Sequence, residues 1–92
     1  VFYLWKHIND DEGEPIASFR TQTEAEAAGV GYVCSQQPGS AHAVVTTGPI
    51  FDSATIVSFI RMSAGYYHVG QPGLWHGGNG AHCLPPASRS TD

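Results

Sequence analysis

Apolar and polar residues alternate along this chain in short runs, and one stretch alone departs from the alternation. VFYLWKHI (1–8) is dense in β-branched and aromatic residues, the composition of a strand. Its two alternating sets, Val1, Tyr3, Trp5, His7 and Phe2, Leu4, Lys6, Ile8, are both largely apolar, which predicts a central strand covered on both faces. NDDEGE (9–14) reads as a solvated hairpin turn. PIASF (15–19) is then the partner strand, with Pro15 at its first position, where a missing N–H costs least. TQTEAEAAG (21–29) breaks the alternation. Thr21 with Glu24, or Thr23 with Glu26, forms a capping box, the alanines favour helix and Gly29 stands where a helix would stop. A two-turn helix is expected over 23–28, packing on the sheet through Ala25, Ala28 and the neighbouring Val30, with Glu24 and Glu26 in water.

The alternation then resumes. VGYVCSQ (30–36) reads as a third strand and QPGS as the turn after it. AHAVVTTG and SATIVSFIRM follow as strands separated at Gly48-Pro49, and a short strand is expected over 66–69. LWHGGNGAHC (74–83) has the form of a last hairpin, its glycines turning between Leu74-Trp75-His76 and Ala81-His82-Cys83, with Trp75 in the core. The sum is an α+β fold: one small domain over residues 1–84, about six short, mostly antiparallel strands with one short helix near the N-terminus, and a disordered tail over 85–92.

Composition narrows the function classes. The chain has 92 residues, 41% of them apolar and 13% charged, which suits one folded domain. Its net charge is −4, and the basic residues Lys6, Arg20, Arg61 and Arg89 are scattered, so no patch fits the phosphates of a nucleic acid. No apolar run approaches the ~20 residues of a membrane span. The acidic turn lacks the alternating ligands of a calcium loop, and GGNG opens no helix long enough for a phosphate-binding loop. The chain opens on Val1, as a processed product or a fragment would. Cys34 and Cys83 leave three states open, one disulfide closing a loop of about 50 residues, two free and partly buried thiols, or a metal role, and they assign no compartment.

The candidate chemistry gathers late in the chain. Tyr66, His68, Trp75, His76 and His82 lie within a segment rich in glycine, an inventory that suits a concave pocket for a small ligand. The expected site lies between strand 66–69 and hairpin 75–83, with His76 central and His68 and His82 flanking. Imidazole also ligates zinc and related metals, so a metal site on His68, His76 and His82 is the alternative. Gly65, Pro72-Gly73, His76 and Asn79 run in the order of the second sequence motif of the cupin family, which this segment resembles; the Gly73 to His76 interval alone is the family's, and its earlier His-x-His and following Glu are absent. That resemblance implies a β-barrel and a metal-binding protein or enzyme. No complete set of acid, base and nucleophile is legible: Cys34, in an expected strand, would lack the helix N-terminus that activates a thiol, and Asp52 is the sole carboxylate between Glu26 and Asp92. The residues favour a non-catalytic binding or interaction domain. Its expected partner is a small molecule or a protein, a second copy of the chain included, with no nucleic acid, no membrane and no cofactor assigned.

Overall fold

A computed structural model describes residues 1–9, 11–36, 39–71 and 81–83. They form a six-stranded antiparallel sheet backed by one α-helix, an α+β fold. The strands are β1 (Phe2–Asn9), β2 (Glu12–Phe19), β3 (Ala41–Thr46), β4 (Ile56–Ser63), β5 (Tyr66–Gly70) and β6 (Ala81–His82), in the spatial order β2-β1-β3-β4-β5-β6. The helix, α1 (Gln22–Cys34), joins β2 to β3, and a short 3-10 turn (Ser53–Thr55) precedes β4.

The expected β1–β2 hairpin forms. Asn9 Oδ1 accepts from the Asp11 N–H at 2.8 Å, and Asn9 Nδ2 donates to Glu12 Oε1 at 3.2 Å, so the acidic turn is held by its own polar groups. Strand β2 begins at Glu12 rather than Pro15. Pro15 sits inside it, opposite Trp5, where the register shifts. The edge position and the irregularity remove the need for its missing donor. Two residues, Ala64 and Gly65, turn β4 into β5, both at positive φ (54° and 85°), the backbone of a type I′ hairpin turn.

Segment 30–36 is not a strand: α1 runs straight through Gly29 to Cys34. Its start follows the first of the two capping alternatives, with the Thr21 hydroxyl accepting from the Glu24 N–H at 3.1 Å and donating to the Glu24 carboxylate at 3.0 Å. Ala25, Gly29 and Val33, spaced by four, are its buried residues and make one stripe on the sheet. Gly29 continues the helix because the sheet comes very close there. A Cβ built on it would lie 2.7 Å from Ile60 Cδ1 and 3.1 Å from Leu4 Cδ1. Ala28 and Val30 pack at the margin of the core, as expected. Glu26 does not stay in water: half-buried, it accepts from the Ser58 hydroxyl and from Gln22 Nε2, tying α1 to β4.

The core lies between α1 and one face of the sheet. Leu4, Ala43, Val45, Ile60 and Met62 meet Ala25 and Val33 there, joined by Cys83. Cys83 is bonded to Cys34, the last residue of the helix, with their Cα atoms 5.4 Å apart. The disulfide state is therefore the one present, and it pins the β5–β6 edge to the end of α1.

Gly31 tests the helix assignment. It is exposed, and nothing lies within 4 Å of a Cβ placed on it. Gly31→Ala is expected to raise stability by about 0.5–1 kcal/mol through helix propensity. Urea unfolding measures the change, and a loss of stability would contradict an open helical position for Gly31.

Candidate functional site

Strand alternation decides which side chains share the other face. With Ala43, Val45, Ile60 and Met62 under the helix, their neighbours His42, Val44, Phe59 and Arg61 point away from it. Part of that face is closed: Phe51, from the connection before β4, sets its ring against Trp5 with centroids 5.5 Å apart. The Trp5 indole N–H donates to the buried Thr46 hydroxyl at 2.8 Å, and that hydroxyl donates to the Gly48 carbonyl at 2.9 Å. Val44 is fully buried beside them.

Beyond this cluster the register draws a polar row. His42 on β3 stands opposite Arg61 on β4, which stands opposite His68 on β5. His7 extends the row on β1, its ring centroid 6.2 Å from that of His42. Tyr66, two residues before His68 on the same face, pairs across to His82, and their rings meet edge to face at 5.1 Å. Three of the five residues expected at the site, Tyr66, His68 and His82, thus share one face of adjacent strands. Trp75 and His76 lie outside the described residues, as do Leu74 and the tail over 85–92. Arg61, His42 and His7 are the members that spacing along the sequence did not reveal.

Among the described residues, no group of three or more His, Cys, Asp or Glu side chains comes together as a metal would require. Both cysteines are committed to the disulfide, so neither serves as a nucleophile or ligand. Among the described residues, no helix is long and apolar enough to cross a membrane. The barrel that the cupin resemblance implies is not what the described strands form: their sheet is open, with β2 and β6 at its edges. The chain matches no family model, no curated protein and no solved structure.

Two cavities of about 280 Å³ flank the polar row. One, bordered by Tyr3, Trp5, Pro15, Ile16 and Pro49, is largely apolar and lies against the edge strand β2. The other opens where the ends of β1 and α1 meet the start of β3, and Lys6, His7, Tyr32, Gln36, Ser40 and His42 line it. His42 borders both this second cavity and the row. Its pKa is lowered from the ordinary 6.5, first by partial loss of hydration against the sheet, then by repulsion from His7 and Arg61.

A lowered imidazole pKa means that the fold disfavours the charged ring. The stability this contributes is fully present above pH 6.5 and is lost as pH falls through the lowered value. The His42 ring resonances are expected to titrate below 6.5, and His7→Gln to move their midpoint upward by removing one repelling charge. A wild-type midpoint at or above 6.5 would contradict the arrangement.

Proposed function

We propose that this chain is a non-catalytic binding domain whose ligand surface is the sheet face turned away from α1, at the β4–β5–β6 end. The observation that supports the reading most is the register that aligns Arg61 with His68 and seats the Tyr66–His82 ring pair beside them. Rings and placed donors on one surface are what a small planar ligand with a polar group requires. Tyr66 is 48% exposed and His82 is exposed, so both rings are open to a partner. Arg61 and His68 are half-buried, and such donors hold a defined direction where water competes less. The division of labour in the sheet agrees: one face is spent on the helix, and the other carries this polar row.

Benzamide is a suitable probe, since it offers a ring to Tyr66 and His82 and a neutral carbonyl to Arg61. Saturable binding by the wild type, weakened about fivefold or more in both Arg61→Gln and Tyr66→Ala at unchanged secondary structure, is the expected result; fivefold is about 1 kcal/mol, the net worth of a typical hydrogen bond in water. Equal affinity in all three proteins would sink the reading.

A further inference from the structure

The residues of the open sheet face bear on the charge of its ligand. No Asp or Glu stands on β1, β3, β4, β5 or β6. The strand carboxylates, Glu12 and Glu14, belong to β2, which is separated from β4 by β1 and β3, about 14 Å at the ordinary strand spacing and beyond a Debye length of about 8 Å. Glu26 lies on the helix side, where Ser58 and Gln22 donate to it. Asp52, ahead of β4, accepts from the Ala54 N–H as the cap of the 3-10 turn. The open face instead sets the Arg61 guanidinium between His42 and His68, in a row of hydrogen-bond donors. We propose that the ligand of this face is an aromatic carboxylate, its two oxygens held by Arg61 between the flanking imidazoles and its ring against the Tyr66–His82 pair.

The register supplies the dimensions. Directly opposed residues on one face stand about 4.5–5.5 Å apart, so His42 and His68 each lie one such step from Arg61. Tyr66, two residues before His68, is the diagonal neighbour of Arg61, about 7–8 Å away, a span that one benzene ring with its carboxylate bridges. The planar guanidinium fork matches both carboxylate oxygens at once. An aromatic carboxylate holds that group in line with its ring, so one rigid molecule meets the fork and the ring pair together. Half-burial of Arg61 and His68 strengthens bonds to a charged acceptor. An amide of the same shape offers one carbonyl oxygen and turns its NH2 group, a donor, towards the rest of the fork. Benzoate and benzamide therefore differ in what Arg61 meets and hardly at all in outline.

This inference rests on the binding face proposed above, and the matched pair of ligands separates the two. The test titrates the full chain with benzoate, benzamide and acetate at about pH 7.5, where both carboxylates are ionised, at matched ionic strength, following the ring resonances of Tyr66, His68 and His82. Benzoate is expected to bind about tenfold more tightly than benzamide, because its bonds to the guanidinium are charge-assisted at both ends. Acetate, with no ring for Tyr66 and His82, should bind more weakly than benzoate. Arg61→Gln should bring benzoate and benzamide to equal affinity, and Arg61→Lys, a point charge without the fork, should keep part of the preference. Tyr66→Ala should weaken both ring ligands by the same factor and leave their ratio unchanged, each variant melting with the wild type. Equal affinity of the wild type for benzoate and benzamide, a benzoate preference that survives Arg61→Gln, or acetate bound as tightly as benzoate would each overturn the assignment of an aromatic carboxylate. Benzamide bound without that preference leaves the binding face standing, whereas binding of neither ring ligand removes the face as well.

Discussion

Ile60→Ala is expected to lower the unfolding free energy by about 2–5 kcal/mol, the range for removing a large aliphatic side chain from a core that only partly collapses. Ile60 is 1% exposed, at the centre of the contact between β4 and α1. Its Cδ1 atom occupies the space in front of Gly29. That proximity couples two positions far apart in sequence. In the wild type, Gly29→Ala gains about 1 kcal/mol of helix propensity but drives its new methyl to 2.7 Å from Ile60 Cδ1, so the gain is offset by displacement of the isoleucine. In the Ile60→Ala background the obstacle is gone and the methyl fills part of the void, so Gly29→Ala should stabilise there. A double-mutant cycle in urea measures the difference, and an interaction energy near zero would place Gly29 elsewhere than against β4.

Loss of the Cys34–Cys83 bond is the second large effect. The residues are 49 apart in sequence, and chain-entropy reasoning gives a loop of that size about 4 kcal/mol, with 2–4 kcal/mol typical once other terms enter. For a small domain that is a large share of the ~5–15 kcal/mol by which native states are stable. The damage should start at one edge. Cys83 is buried in the core, its N–H donates to the Gly65 carbonyl at 2.7 Å, and the described part of β6 is only two residues long. Cys34→Ser with Cys83→Ser, or reduction, is expected to lower the melting temperature and to release amide protection first in β5 and β6. A melting curve unchanged by reductant would contradict the bond.

Much of this fold was legible in the alternation of residues. The strands of the sheet, the hairpin through the acidic turn and the Thr21–Glu24 cap each follow from local chemistry that the tertiary structure does not oppose. Residues 30–36 misled because Val30, Tyr32 and Val33 favour strands and Gly29 commonly ends a helix. Packing overrides both preferences, since only a glycine lets α1 lie so close to Ile60 and Leu4. The spacing of Ala25, Gly29 and Val33 carried the signal that the helix continues. Glu26 was placed in water because no sequence pattern announces Ser58 as its partner.

The site was half legible for a different reason. Tyr66, His68 and His82 stood out because they are close in sequence. Their neighbours His42 and Arg61 arrive by strand register, which pairs positions 19 residues apart in one case and 7 in the other. Alternation could have given the parity: once Ala43 and Val45 are placed in the core, His42 must face the other way, and the same holds for Arg61 beside Ile60 and Met62. Which strand lies next to which is a property of the whole sheet, so the row from His7 to His68 emerges only with the topology.

The most direct test of a binding face opposite the helix is a chemical-shift map of the isotope-labelled chain through a benzamide titration. The predicted result is one saturating curve shared by the ring signals of Tyr66, His68 and His82, with the methyl signals of Leu4, Val33 and Ile60 unmoved because they lie in the core between α1 and the opposite face of the sheet. Saturating shifts of those core methyls with the Tyr66, His68 and His82 rings silent would contradict it.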